Sequence, residues 1–250
     1  MTFVLGMGTP PLGVICADTR MNMRTPAGGI DRNDTGELDL SLRDGSVLNI
    51  PPIRRKIRRF DWGWAAGAGS SHLLNVAIFD HLADAKVHEA NDICSHVSSA
   101  VEQRGDAIRS EFTNPDPADR VGIICLFDDG SRFSVRQCVV GSEFHQVENA
   151  DYAMSFPTDV GRGFSREWNQ HASELLFVPE NSTGLWELAR RVAGIIHAVH
   201  ENSASVSDWM DLILMVRQNQ SRTITLQLHA RSSEVRTADD SWIAGQFQRI

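Results

Sequence analysis

The sequence predicts an α+β protein whose antiparallel β-sheets carry helices on their outer faces. Runs of strand-like segments alternate with pairs of helix-like segments along the 250 residues, which is typical of sheets with helices stacked outside them. Turn residues join neighbouring strand-like segments directly, which indicates antiparallel hairpins. Because each half of the chain has too few strands to close a core alone, we expect a single domain over residues 1–250.

Two hairpins open the chain. The predicted strands are 3–7 and 13–16, followed by 56–60 and 62–66. Pro10-Pro11 and Asp61 mark the two turns. Residues 21–50 are rich in Gly, Asp, Asn and Arg, so we expect a loop excursion there. Loops of that length in a compact domain are usually functional or mobile.

The rest of the chain continues the alternation. The predicted elements are helices at 70–90 and 92–112, strands at 121–127, 132–140 and 152–156, helices at 160–171 and 183–201, and strands at 210–216 and 223–228. Asp128-Asp129-Gly130 is the strongest hairpin signal, because Asp-Gly supplies the backbone conformations of tight turns. From about residue 230 we expect a polar tail anchored by Trp242 and Phe247.

Composition excludes several classes of partner. The formal net charge is −8 and no long basic run offsets it, so we expect no nucleic-acid binding. No apolar run is long enough to span a membrane, so we expect no membrane partner. The four cysteines form no C-x-x-C pair and no secretory signal precedes them, which favours a reducing, cytoplasmic setting.

We expect no metal and no other cofactor. His197 and His200 lie on one face of a predicted helix and could share a metal, but no acidic residue or cysteine has ligand spacing to them. Gly6-x-Gly8 follows a strand as in a dinucleotide fingerprint, but Pro10 stands where the helix should begin.

Thr2 is the first candidate catalytic residue. Methionine aminopeptidase generally removes Met1 when the next residue is small, and this would leave Thr2 with a free α-amine. An α-amine has a pKa of about 8, so part of it is neutral at pH 7 and can accept the proton of the threonine hydroxyl. Met-Thr starts are common, so this signal acquires weight only together with others.

Three further motifs follow Thr2 in sequence order. Ala17-Asp18-Thr19-Arg20 closes the second strand, Lys56-Ile57 opens the third, and Ala66-Gly67-Ala68-Gly69-Ser70 links the fourth to a helix. A lysine lowers the pKa of a nearby hydroxyl and amine, and a carboxylate keeps that lysine charged and oriented. N–H groups at a glycine-rich helix start can stabilise an oxyanion. Each motif alone also has an ordinary structural explanation, as a turn, a basic strand or a tight connection.

Lys56 lies within a run of five basic residues between Arg54 and Arg59. Strand alternation predicts that Arg54, Lys56 and Arg58 share one face and that Arg55 and Arg59 share the other. We expect Lys56 alone to approach Thr2 and Asp18.

Together these motifs resemble the proteasome β-subunit family of N-terminal nucleophile hydrolases. The residues that carry the resemblance are Thr2, Ala17-Asp18-Thr19-Arg20, Lys56-Ile57 and Trp64-Ala65-Ala66-Gly67. They cover about the first ninety residues, and the remainder is similar by element order. Asp18-Thr19-Arg20 followed by Met21-Asn22, together with the chain length, is similar to the bacterial Anbu (ancestral β) type.

The resemblance implies a four-layer αββα sandwich. By position, Thr2 would be the nucleophile, Asp18 and Lys56 its charge pair, and Gly67 the oxyanion donor. Ser155 is the nearest match to a serine that the family places near a Gly-rich turn before its third helix, although no glycines flank it. The family also has an Asp and a Ser between its fourth helix and the next strand, and the candidates to replace them are Asn202, Ser203, Ser205 and Ser207.

The implied function is a threonine-type peptidase acting on peptides or unfolded proteins within a ring-shaped or helical homo-oligomer. An amidase or acyltransferase with one specific substrate would use the same site, and the excursion at 21–50 favours it slightly. A non-catalytic scaffold subunit is the third alternative, which the retained Thr2, Asp18 and Lys56 disfavour. The sequence does not indicate whether an ATPase partner exists.

Overall fold

Two antiparallel sheets lie face to face in the computed structural model of the chain, with helices on both outer sides. The structure describes residues 3–19, 21–24, 30–33, 38–41, 47–50, 56–68, 78–111, 121–140, 145–150, 152–157, 159–176, 184–219 and 222–250. These layers form the predicted four-layer αββα sandwich, so the α+β fold class is confirmed.

The first sheet contains the start of the chain. In the described part of the chain its strands are β12 (Tyr152–Ser155), β1 (Val4–Gly8), β2 (Leu12–Asp18), β13 (Trp209–Asn219), β14 (Arg222–Arg231) and β15 (Gln248–Arg249), in that spatial order. Val4 is opposite Ala17 in β2 and Ser155 in β12, so β1 is a central strand. Asp18, which ends β2, is opposite Met210 near the start of β13.

The second sheet is built from the hairpins in the middle of the chain. Its described strands are β11 (His145–Ala150), β10 (Phe133–Val140), β9 (Val121–Asp128), β8 (Gly63–Ala68) and β7 (Ile57–Phe60), again in spatial order. The predicted turn between β9 and β10 is confirmed. Gly130 adopts a φ of 84°, a conformation that favours glycine, and Asp129 accepts backbone hydrogen bonds from Ser131 and Arg132.

Six helices cover the described parts of the two outer faces. They are α1 (Asp80–Asp84), α2 (Ala90–Glu111), α3 (Arg162–Leu176), α4 (Gly184–Asn202), α5 (Ser232–Val235) and α6 (Asp240–Gln246). Helix α4 presents Leu188, Val192, Ile195 and Val199 to the first sheet, whereas α2 presents Ile93 and Val97 to the second. A third apolar layer, which includes Val4, Ile15 and Ile124, fills the space between the sheets.

The excursion at 21–50 contains regular structure where we expected a loop. Strands β3 (Met21–Arg24) and β4 (Ile30–Asn33) form one two-stranded sheet. Strands β5 (Leu38–Ser41) and β6 (Val47–Ile50) form another. Their polar composition hid the hairpins, because the alternation of apolar and polar residues is weak in strands of four residues.

Other predicted elements need correction. Of the helix expected at 70–90 the structure contains α1 (Asp80–Asp84), and residues 70–77 lie outside the described part. Strand β11 was not predicted from the sequence, and the tail after residue 230 is folded: Val235 and Ile243 are fully buried. We expected an exposed helix face with His72, Asn75 and Phe79 to contact neighbouring subunits. Phe79 is instead buried against Phe60, and the other two residues lie outside the described part.

Two of the four cysteines are bonded to each other. Cys94 in α2 and Cys138 in β10 form a disulfide with their Cα atoms 6.0 Å apart, which joins the outer helix layer to the second sheet. The sequence did not predict this bond, because the two cysteines are 44 residues apart. The cytoplasmic setting stays a prediction. Among the described helices, none is long and apolar enough to cross a membrane.

Candidate active site

Asp18 joins the start of the chain to the end of the second strand. It is fully buried, and its Oδ1 accepts a hydrogen bond of 2.8 Å from the backbone N–H of Phe3. The backbone N–H of Asp18 in turn donates to the carbonyl oxygen of Phe3 over 3.2 Å. The Asp18 carboxylate is therefore fixed beside the residue that follows Thr2, whose own position lies outside the described residues.

Lys56 forms an ion pair with Asp18, the residue with which the family resemblance paired it. Its Nζ lies 3.0 Å from Oδ2 of Asp18, and only 5% of the lysine side chain is exposed. The same Oδ2 accepts a hydrogen bond of 3.2 Å from the backbone N–H of Ser207. A buried ion pair needs such additional hydrogen bonds, because desolvation of the two charges offsets much of their attraction.

The alternation that we predicted for the basic run is wrong at Lys56. Strand β7 begins only at Ile57, which lies in the apolar layer between the sheets. Arg58 points to the outer face and pairs with Asp80 of α1, whereas Lys56 reaches Asp18 in the other sheet. Because Lys56 precedes the strand, its side chain does not have to follow the alternation of faces that applies to the residues of β7.

Gly67 lies inside a strand and its N–H group is already bonded. It belongs to β8, and its backbone N–H donates to the carbonyl oxygen of Lys56 over 2.7 Å. Gly67 would have to lose this hydrogen bond to serve as an oxyanion donor. Strand β8 ends at Ala68, so N–H groups beyond the sheet can begin only after it. Gly69 and Ser70 of the same motif lie outside the described residues.

Ser155 faces the space between the sheets near the start of β1. It is half-buried, is opposite Val4, and packs against Gly122 of β9 so closely that a Cβ atom there would lie 2.9 Å from its Oγ. Among the described residues its hydroxyl contacts neither Asp18 nor Lys56. Its proposed part in catalysis stays a prediction.

The loop from α4 to β13 contains the residues that we had considered as substitutes for the family's Asp and Ser. Asn202 caps its own helix by donating to the carbonyl oxygen of Ala198. Ser207 reaches the charge pair through its backbone, while its Oγ accepts a hydrogen bond from the N–H of Trp209. Ser207 is therefore the one of the four candidates that contacts Asp18 within the described structure.

Sequence reasoning missed Asp159, which holds this loop from the other side. Its Oδ1 accepts a hydrogen bond of 2.7 Å from Ser203 Oγ. Its Oδ2 accepts hydrogen bonds from the Oγ and the backbone N–H of Ser205, over 2.9 and 3.2 Å. Asp159 lies in the turn before α3, where we looked for a serine. In this chain the turn before α3 supplies a carboxylate, and the α4–β13 loop supplies the hydroxyls that bind it.

The thiol of Cys16 is not a candidate nucleophile. Cys16 lies two residues before Asp18 and is fully buried. Burial, and then the negative charges of Asp211 and Asp18, raise the pKa of the Cys16 thiol well above its ordinary value. Cys16 is therefore a neutral core residue at pH 7. Among the described residues no group of three His, Cys, Asp or Glu side chains could hold a metal, and His197 instead approaches Glu201 and Asp208.

The stacked sheets with outer helices and a polar cluster at the start of β1 have the fold of the N-terminal nucleophile hydrolases. The structure of an Anbu (Gly-1) mutant from Hyphomicrobium sp. strain MC1 matches with a TM-score of 0.55 and 14% identity, over 98% of this chain and 92% of that one. Thiobacillus denitrificans BPH in complex with epoxomicin matches with a TM-score of 0.52 and 10% identity, over 87% and 100%. Neither a protein-family model nor a curated protein matches the chain. The chain thus has a proteasome-like fold, in agreement with the resemblance found in the sequence.

Proposed function

We propose that this chain is a hydrolase that cleaves amide bonds with Thr2 as its N-terminal nucleophile. One observation carries the proposal: the buried carboxylate of Asp18 binds both the N–H of Phe3 and the ammonium of Lys56. The buried positive charge is thereby fixed to the residue that follows Thr2. A scaffold subunit would gain nothing from a buried ion pair at this place, since apolar residues of similar volume stabilise a fold as well or better.

The proposed reaction divides one difficult step into two. The neutral α-amine of Thr2 takes the hydroxyl proton while Oγ attacks the substrate carbonyl carbon, and the Lys56 charge favours the developing alkoxide. The proton then passes to the departing amine and an ester to Thr2 remains. Water, activated by the same amine, hydrolyses that ester. Backbone N–H groups after the end of β8 would stabilise the two oxyanions, a role for which Gly67 itself is less suited because its N–H is bonded.

Peptidase activity is the first form of the proposal, and an amidase with one specific substrate is the second. The two hairpins at residues 21–24 with 30–33 and 38–41 with 47–50 support the second form. Ordered strands directly after Asp18 can narrow the range of substrates that a cleft accepts, more than a loop would. Turnover of a panel of unrelated peptides would favour the peptidase, and turnover of none of them would favour the amidase.

The experiment that tests the proposal uses two covalent probes and intact mass. A peptide vinyl sulfone needs only a nucleophilic hydroxyl, whereas a peptide epoxyketone closes a ring with both the hydroxyl and the free α-amine of one residue. We expect the purified protein to lack Met1 and to gain one equivalent of either probe on Thr2. Thr2→Ala should abolish both adducts, and Thr237→Ala, an exposed residue far along the chain, should keep them. Retention of Met1 in protein that is labelled elsewhere would refute Thr2 as the nucleophile.

A further inference from the structure

A polar and aromatic surface lies on strands β13 and β14 beside the candidate active site. It consists of Trp209, Asp211, His229 and Arg231, which we call the β13–β14 platform. Arg231 is opposite Trp209 and places its guanidinium 5.4 Å from the centre of a Trp209 ring. The ring of His229 stacks on Trp209 with centroids 5.0 Å apart and an interplanar angle of 19°. The indole thus orients two basic side chains at once.

The platform continues the line of residues that forms the charge pair. Asp211 is opposite Ala17, and Met210 is opposite Asp18. The backbone N–H of Thr19 donates to the carbonyl oxygen of Trp209 over 3.1 Å. Arg231 on β14 is separated from β1 by β13 and β2, so it is three strands, or roughly 14 Å, from the start of β1. An extended peptide covers that distance with about four residues.

The platform offers positive charge that the described structure leaves for a ligand. Asp211 is nearly buried and its Oδ1 lies 2.7 Å from Nδ1 of His229. This hydrogen bond raises the pKa of His229, which keeps the imidazole charged to higher pH, and the second ring nitrogen points away from Asp211. Within the described residues, the guanidinium of exposed Arg231 has the Trp209 ring as its partner and no carboxylate at ion-pair distance.

We propose that the β13–β14 platform is a specificity subsite for an acidic side chain of the substrate. Arg231 would bind the carboxylate through its forked donors, and His229 would add a second charged donor. Trp209 would fix both basic groups and cover the aliphatic part of the side chain. This inference rests on the proposed function, because it supposes a peptide in the cleft. It names Asp or Glu about four residues from the scissile bond as the preferred side chain.

The test compares peptides that differ by one isosteric residue. Fluorescent peptides with Asp or Asn placed at each position within four residues of the scissile bond are titrated into the whole protein, and affinity is measured by anisotropy. We expect Asp to bind about 5- to 20-fold more tightly than Asn at one position, a range between an exposed and a partly shielded charge pair. Arg231→Met should reduce this ratio to about 1. Arg222→Met, at the far end of the same strand and also exposed, should keep it.

The result separates this inference from the proposed function. If the epoxyketone labels Thr2 but no position distinguishes Asp from Asn, the subsite is refuted and the hydrolase stands. If the protein is not labelled but the Arg231-dependent ratio is found, the subsite stands as a binding site without threonine catalysis. A ratio that survives Arg231→Met, or that Arg222→Met also removes, refutes the platform as its source.

Discussion

Replacing Lys56 by methionine tests the candidate site most directly. Methionine keeps most of the length and apolar volume of the lysine stem and removes the charge. Lys56 is 5% exposed and Asp18 is fully buried, so the substitution removes the ammonium from a buried carboxylate that the N–H groups of Phe3 and Ser207 also contact. Removing one partner of a buried pair typically costs about 3–5 kcal/mol of the free energy of unfolding.

A second substitution separates the loss of stability from the loss of chemistry. Asp18→Asn combined with Lys56→Met leaves no uncompensated charge, so we expect the double variant to recover about 1–3 kcal/mol relative to the sum of the single effects. Chemical denaturation of the four proteins gives this coupling energy. Covalent labelling and turnover should stay at least about 10²-fold below wild type in both Lys56 variants, because the charge at the nucleophile is absent in each.

Arg58→Met is the matched control, since it lies two residues away in the same basic run. Its ion pair with Asp80 has side chains that are 30% and 52% exposed, so we expect a cost of at most about 1 kcal/mol and normal labelling. If Lys56→Met were no more costly than Arg58→Met, the buried ion pair would be wrong. If the double variant recovered labelling together with stability, Lys56 would have a structural role alone.

Three further predictions concern the surroundings of the site. Asp159→Asn should lower kcat more than it raises KM, because the α4–β13 loop loses its anchor at Ser205 and the hydrogen bond from the Ser207 N–H to Asp18 loosens. A loss of folded protein with an unchanged kcat would contradict this. Burial opposes ionisation of Asp208, but hydrogen bonds from Ser232, Ser233 and His197 lower its pKa from 3.8 to about 2. The folded-state pKa is depressed, so this contribution, at most about 2 kcal/mol because Asp208 is partly exposed to solvent, is present above pH 4 and is lost as the pH falls toward 2. Between pH 7 and pH 3 the free energy of unfolding of the wild type should therefore fall by up to about 1 kcal/mol more than that of Asp208→Asn. Light scattering at micromolar concentration should give a species well above 27.7 kDa, and a strict monomer would favour the specific amidase.

The sequence predicted the hairpins β1–β2, β7–β8, β9–β10 and β13–β14 and the long helices α2 and α4 because their signals are local. Apolar runs flanked by Pro, Asp or Gly indicate strands and turns without knowledge of the partner strand. The hairpin at Asp129-Gly130 and helix α4 (Gly184–Asn202) are confirmed within a residue or two for this reason. Strand β11 (His145–Ala150) has no such signal, because polar residues alternate with few apolar ones and its pairing with β10 includes a register shift.

Only those residues of the candidate site could be predicted that belong to motifs whose order along the chain resembles a known family. Asp18 and Lys56 are 38 residues apart, and no pattern of spacing brings them together; the resemblance to a known family did so. The same resemblance led to Gly67, whose N–H proved to be bonded within the sheet, and to Ser155, which does not contact the pair in the described structure. Asp159 could not be found this way, because its role depends on two loops that are 44 residues apart.

Asp18 explains why fold and site cannot be separated in this chain. Within the described residues its carboxylate receives hydrogen bonds from the residue before β1, the residue before β7 and the loop before β13. The same contacts that could activate a nucleophile therefore also fix both sheets and one loop relative to each other. A substitution here must change stability and chemistry together. It follows that an inactive Asp18 variant proves nothing about catalysis by itself. Labelling of the double variant, whose stability is partly recovered, distinguishes a catalytic charge pair from a structural one.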